Sequence, residues 1–116
     1  MSWYKINTDG AVFGNIGCCD VGVVIGNDRG ELMGSISKRM ELLLGALESE
    51  AKVVEEGIQL AWDLGLKEII IESDSQIVVN ALRRESPIQS SIRKAIEGIK
   101  LSLRQFSSWK VVHQGF

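Results

Sequence analysis

The sequence predicts a single α/β domain, residues 1–116, built on a mixed five-stranded sheet, and three observations lead to that prediction. Apolar residues make up 45% of the chain, which is enough for one buried core at this length. Apolar residues alternate with polar ones in the first third of the chain, and spacings of three and four follow. Strand-like and helix-like segments then alternate, which is typical of a sheet with parallel crossovers.

The first three predicted elements are strands. The segment 4–9 alternates polar and apolar residues, and a glycine-containing loop follows it. A β-branched run at 21–25 predicts a second strand. The Asn-Asp-Arg-Gly sequence at 27–30 predicts a turn, and a third strand is predicted at 31–38. Because the connections are short, we expect an antiparallel meander.

Helices separate the remaining strands. A helix is predicted from Gly45 to Ala61, and Gly65 ends it. Further elements are predicted in this order: a strand at 67–74, a short helix at 75–84, a helix opened by Pro87, and a last strand at 109–113. On the short helix we expect the buried side to hold Ile77, Val78, Ala81 and Leu82. The order β-β-β-α-β-α-α-β favours right-handed parallel crossovers.

Three carboxylates are predicted to meet at one end of this sheet. Asp9 closes the first strand and Asp74 closes the strand at 67–74, so both lie at carboxyl ends if the two strands pair in parallel. Glu50 lies on the apolar stripe of the first helix and therefore faces the sheet. Acids in such places are costly to fold without a partner, and a hard divalent cation is a natural one.

Three segments together resemble the RNase H family, and most closely its plant reverse-transcriptase-like domains: 7–11 (NTDGA), 46–51 (ALESEA) and 72–79 (ESDSQIVV). The resemblance extends from about residue 4 to residue 113. It implies an RNase H-like fold and a metal-dependent endoribonuclease that cleaves the RNA strand of RNA–DNA hybrids. By motif, it implies that Asp9, Glu50 and Asp74 are catalytic and hold two Mg²⁺ ions with substrate bound, with Mn²⁺ as a substitute. It also implies that Gly10, Ala11 and Ser75 contact the substrate.

The chain departs from the family pattern at its C-terminus. The family continues into a further helix with a fourth acidic or histidine-containing group, whereas no acid follows Glu97 here. We therefore expect a domain that lacks the last helix of the family, either because it is truncated at its C-terminus or because it is a natural short form with weakened catalysis. His113 falls in the last strand rather than at the late catalytic position. The alternatives are a module that binds nucleic acid or protein without cleavage, and a nuclease for double-stranded RNA or DNA ends.

Each candidate residue also has a purely structural interpretation. An Asp-Gly pair favours turns, so Asp9 is also an ordinary turn candidate. Asp74 or Ser75 is placed to cap the short helix. Glu50 is also a candidate to pair with a cation such as Lys5. The residues alone leave these alternatives open.

Charge and composition limit the remaining function classes. The net charge is −2, so polyanion binding must be local or depend on bound cations. The adjacent Cys18 and Cys19 offer no disulfide partner, and we expect a reducing intracellular compartment, the cytoplasm or nucleus. No apolar run approaches the ~20 residues of a membrane helix, and no targeting signal is readable, so no membrane partner is expected. An unpaired edge on the last strand predicts a weak homodimer.

Overall fold

The computed structural model of the chain describes residues 3–13, 18–40, 46–83, 88 and 90–114. The helices and strands follow in this order: β1 (Tyr4–Phe13), β2 (Cys18–Gly26), β3 (Leu32–Met40), α1 (Ala46–Asp63), β4 (Glu68–Ser73), α2 (Gln76–Arg83), α3 (Arg93–Leu103) and β5 (Ser108–His113). A short 3₁₀ turn at Ser90–Ile92 precedes α3. The predicted order of strands and helices is confirmed.

The five strands form one mixed sheet in the order β3-β2-β1-β4-β5. β2 pairs antiparallel with both β1 and β3, whereas β4 runs parallel to β1 and β5 runs parallel to β4. The predicted meander and crossovers are therefore confirmed. β1 lies between a hairpin partner and a crossover partner, which is where open α/β sheets place their binding sites.

The first strand is longer than the sequence predicted. β1 continues beyond Asp9 because β2 supplies antiparallel partners for the whole segment Gly10–Phe13. The predictions that Asp9 closes its strand or lies in a turn are therefore wrong, since Asp9 pairs with Gly22 inside the hairpin. The parallel ladder from β1 to β4 does end here, with Thr8 opposite Ser73.

α1 packs closely on β1 because one of its residues has no side chain. A Cβ atom added to Gly57 would lie 2.9 Å from Ile6 Cγ2 and 3.3 Å from Thr8 Cγ2. The helix ends as predicted at Gly65, which has a φ of 77°. The N–H of Leu66 donates to Ala61 O, and the N–H of Gly65 donates to Trp62 O, which together form a Schellman cap.

Two predictions about the later helices are wrong. Ile77 is 44% exposed, because the buried face of α2 is formed by Val78, Val79, Ala81 and Leu82. The helix predicted to open at Pro87 begins at Arg93, after the 3₁₀ turn Ser90–Ile92, because serine favours turns and helix ends over helix interiors. Pro87 itself lies outside the described residues. The buried residues of this segment are Ile92, Ile96, Ile99 and Leu103.

The core lies on the helix-facing side of the sheet. Ile6, Val23 and Ile71 are fully buried there, beneath helical residues such as Val54 and Ile96. On this side of the sheet, burial leaves the polar ends of the strands as the positions available for chemistry. None of the helices in the described residues combines the length and apolarity needed to cross a membrane.

Candidate functional site

Asp74 occupies the corner between β4 and α2. The hydroxyl of Ser73 accepts a hydrogen bond from the Ser75 backbone N–H at 3.1 Å. The hydroxyl of Ser75 accepts one from the Val78 N–H at 3.3 Å, which makes Ser75 the cap of α2. The capping alternative is thus confirmed for Ser75, and the exposed carboxylate of Asp74 is not used for this purpose.

β5 supports the same corner from its carboxyl end. The Gln114 N–H donates to Ser73 O at 2.8 Å and extends the parallel pairing past His113. His113 Nε2 lies 3.1 Å from Asp74 O, and because a carbonyl only accepts, the contact requires the tautomer with a proton on Nε2. The sequence placed His113 correctly in the last strand. Its contact with the Asp74 segment was missed, although its position at the end of a parallel strand was the available signal.

Asp9 lies beside this corner along the backbone. Thr8 pairs with Ser73, the last residue of β4, so Asp9 and Asp74 each follow one member of this pair. Paired strands lie ~4.8 Å apart, so the backbones of Asp9 and Asp74 leave the pair from adjacent positions. Thr8 is 3% exposed and its hydroxyl donates to Glu72 O at 3.2 Å, which ties the strands together at this point. The side chains of Asp9, Gly10 and Ala11 lie outside the described part of the structure.

Glu50 reaches the site from α1. Its stripe continues to Val54 and Gly57, which are buried against the sheet, and its Oε2 atom is buried as well. Lys5 was considered as its partner, but Lys5 Nζ lies 3.2 Å from Glu72 Oε1. Successive strand residues point to opposite faces, so Lys5 lies on the face away from the α1-facing neighbour Ile6. Lys5 therefore pairs with Glu72 on the neighbouring strand and not with Glu50 on α1.

Glu50 and Asp74 line one cavity that is open to solvent. Its volume is about 320 Å³, and Leu47, Ser75 and Ile77 are the other described residues that line it. The structure thus brings two of the three predicted acids together and places the backbone of the third beside Asp74. Ile77 was missed as a lining residue because its pattern on a short helix favoured burial.

The oxygen atoms around this cavity fit a hard divalent cation. Mg²⁺ binds carboxylates and keeps several waters, for which an open cavity leaves room. Among the side chains that the structure describes, no three His, Cys, Asp or Glu residues form a group that could hold a metal ion. Two described carboxylates, Glu50 and Asp74, line the cavity and could bind such a cation. The third ligand predicted from the sequence is Asp9, whose side chain lies outside the described part of the structure.

Sequence comparison assigns nearly the whole chain to a known group. Residues 7–115 match a family profile described as reverse transcriptase-like. An Arabidopsis thaliana protein named provisionally as a ribonuclease H protein is 31% identical over 83 residues. That match covers 72% of this chain but 13% of the Arabidopsis protein, so the chain spans a small part of its curated relative.

Solved structures share the fold at low sequence identity. RNase H1 from the archaeon Halobacterium salinarum superposes with a TM-score of 0.89 at 22% identity, covering 96% of this chain and 84% of that one. The N-terminal RNase H domain of a Mycobacterium tuberculosis protein gives 0.87 at 19% identity, with 98% and 84% covered. LC11-RNase H1 in complex with an RNA/DNA hybrid gives 0.85 at 18%, with 95% and 83% covered. The predicted RNase H-like fold is therefore confirmed.

Proposed function

The chain belongs to the reverse transcriptase-like family, and from that premise we propose that it is a divalent-metal-dependent endoribonuclease that cleaves the RNA strand of RNA–DNA hybrids. The proposal rests mainly on one observation, the cavity that Glu50 and Asp74 share beside the backbone of Asp9. In the proposal, two parallel strands and one helix supply three acidic residues at the same end of the sheet. A hydrolase of phosphodiesters needs such a cluster to hold its metal ions.

In this proposal Asp9, Glu50 and Asp74 hold two Mg²⁺ ions when substrate is bound, and Mn²⁺ substitutes for them. When bound, the ions supply Lewis acidity at the phosphate that undergoes displacement. The contribution of the chain is to hold the carboxylates in place. The hydrogen bond from the Ser75 N–H to the Ser73 hydroxyl and the contact of His113 with Asp74 O hold the backbone around Asp74 in place. The backbone therefore needs little reorganisation when metal binds.

The substrate-facing residues are small or carry a hydroxyl group. Gly10 and Ala11 follow Asp9 on β1, where short side chains allow a nucleic-acid backbone to approach. Ser75 uses a lone pair to cap α2, and its hydroxyl proton remains available for a phosphate oxygen. Recognition of a hybrid through its 2′-hydroxyls and groove shape requires little base contact, so the proposed specificity is for the duplex type.

Bound metal ions would also allow this acidic chain to bind a polyanion. With a net charge of −2 the chain offers a polyanion no general attraction. Bound divalent cations turn the acidic end of the sheet into a positive one. We therefore expect both hybrid binding and hybrid cleavage at the site to depend on Mg²⁺.

The test is cleavage of an end-labelled RNA–DNA hybrid in Mg²⁺ and in Mn²⁺. We expect the RNA strand to be cut, the DNA strand to stay intact, and chelation to stop the reaction. Glu50→Gln and Asp74→Asn should each lower the rate about 100-fold or more, because each removes a charged metal ligand. Glu55→Gln is the matched control, since Glu55 is an exposed acid on the same helix with only a surface ion pair to Lys52.

Three outcomes would contradict parts of the proposal. Undiminished cleavage in both ligand variants would reject the assigned residues. Hybrid binding without cleavage by the unaltered protein would favour the non-enzymatic nucleic-acid-binding module. Cutting of double-stranded RNA in preference to the hybrid would retain the site but change the substrate.

A further inference from the structure

A second cavity lies at the other end of β5 from the candidate site. It has a volume of about 860 Å³, and we call it the basic cleft. Its lining includes Arg83, Glu97, Lys100, Leu101, Arg104 and Trp109. Trp109 is near the start of β5 and His113 is at its end. At ~3.3 Å per residue the two lie about 13 Å apart along the strand. The basic cleft is thus separate from the acidic site but within reach of a ligand bound there.

The described lining of the basic cleft is positively charged. Among the residues that the structure describes, three cations and one acid line it, in a protein whose net charge is −2. Arg83 is held in place because its Nε donates to Val111 O at 2.9 Å. Lys100 and Arg104 follow Glu97 at spacings of three and seven, so all three lie on one face of α3 and its cap. An anionic ligand complements this surface.

The helix ends explain only part of this arrangement. Arg83 and Arg104 lie at the C-terminal ends of α2 and α3, where cations are favoured by the helix dipole without any ligand. The dipole does not account for the apolar side chains beside them. Leu101 is 63% exposed and Trp109 is 37% exposed, both facing the same cavity. A ligand that covers both features must carry an anionic group next to a flat apolar one.

We propose that the basic cleft binds single-stranded nucleic acid, with a base against Trp109 and Leu101 and phosphates against Lys100, Arg104 and Arg83. Each nucleotide of an unpaired strand joins a phosphate to an exposed ring, and stacking on an aromatic side chain beside cations is how such strands are held. A duplex is excluded from a cavity of this size because its bases are stacked inside a rigid cylinder. The occupant is therefore the single-stranded extension of a longer substrate.

This inference rests on the proposed function only in taking nucleic acid as the ligand. A hybrid at the candidate site that continues as a single strand would follow β5 towards its amino end. The basic cleft would then add affinity for substrates with an extension and none for blunt hybrids. Because the basic cleft needs no metal, its binding can be measured under conditions that abolish cleavage.

The experiment measures binding of a fluorescent oligo-deoxythymidine by anisotropy in excess EDTA. We expect binding that weakens with salt, because phosphate contacts release counterions. Trp109→Ala should weaken it about tenfold or more, and Trp109→Phe should restore most of the loss. Arg104→Gln should weaken it and lower the slope of log affinity against log salt by about 1. Lys94→Gln is the matched control, since Lys94 is an exposed cation on α3 outside the basic cleft.

Thermal melting of each variant separates loss of binding from loss of fold, and Lys100→Gln provides a second charge variant if Trp109→Ala unfolds. Equal binding by Trp109→Ala, Arg104→Gln and the unaltered protein would overturn the proposal. Failure to bind the oligonucleotide, with binding of an acidic tryptophan-containing peptide instead, would also overturn it and assign the basic cleft to a protein partner. Binding in EDTA by a protein that never cleaves a hybrid would retain the basic cleft and reject the nuclease.

Discussion

Gly57→Ala tests whether the close contact between α1 and β1 sets the position of Glu50. The added Cβ would lie 2.9 Å from Ile6 Cγ2, 3.3 Å from Thr8 Cγ2 and 3.3 Å from Val23 Cγ1. Ile6 and Val23 are fully buried and Thr8 is 3% exposed, so none of them can move towards solvent. The helix must therefore shift away from the sheet.

Two opposing effects decide the size of the stability change. Overpacking a filled core costs about 1–3 kcal/mol. Alanine is a better helix former than glycine by about 0.5–1 kcal/mol. The packing term is the larger, so we expect Gly57→Ala to lower the free energy of unfolding by about 1 kcal/mol.

Gly98→Ala is the matched control for this change. Gly98 lies inside α3, and an added Cβ there would have no atom within 4 Å. Only the difference in helix propensity remains, so the free energy of unfolding of this variant should rise by about 0.5–1 kcal/mol. Urea unfolding followed by circular dichroism measures both changes, and the difference in sign does not depend on the extrapolation. Equal stability of the two variants would refute the close-contact reasoning.

The same variant has a consequence for the site. Glu50 lies about two helical turns before Gly57 on the same face of α1. A shift of the helix therefore carries Glu50 away from Asp74. Hybrid cleavage should fall in Gly57→Ala at temperatures where the variant is fully folded, and it should not change in Gly98→Ala.

Two further predictions concern the corner that holds Asp74. Ser75→Ala removes the cap of α2 and should lower the free energy of unfolding by about 1 kcal/mol, measured by urea denaturation, whereas Ser75→Asp should retain most of it. His113→Phe removes the contact to Asp74 O and keeps an aromatic ring on the exposed end of β5. We expect the affinity for Mg²⁺, measured by titration calorimetry, to fall about tenfold. The melting temperature should change little. Unchanged affinity in that variant would remove His113 from its positioning role.

The pairing of the strands was predictable because connection lengths limit it. A strand that follows a crossover helix can join an earlier strand in parallel, so the sequence predicted that Asp9 and Asp74 lie close together if that earlier strand is β1. The structure pairs β4 with β1 and ends the ladder at Thr8 and Ser73. The end of β1 was not predictable from β1 alone. Residues 10–13 extend the strand only because β2 lies beside them, and that partner follows a loop.

The missed residues share a different cause. Ile77, Val78 and Val79 are consecutive on a helix of eight residues, so their pattern alone does not decide which side turns to the sheet. Packing against β4 and β5 selects Val78 and Val79, and Ile77 is left beside the acids. The role of His113 depends on register, since its ring reaches Asp74 only because His113 pairs with Ser73. Orientation and register come from tertiary contacts that a single strand or helix does not encode.

The two ends of β5 handle a polyanion in opposite ways. At the carboxyl end, Glu50 and Asp74 repel phosphate unless divalent cations intervene. At the amino end, Lys100 and Arg104 attract phosphate directly, and dissolved Mg²⁺ competes with them. Under the two proposals, metal ions favour binding at the candidate site and oppose binding at the basic cleft. A substrate that occupied both would supply a duplex to the first and an unpaired strand to the second, so we expect the protein to select junctions between duplex and single strand.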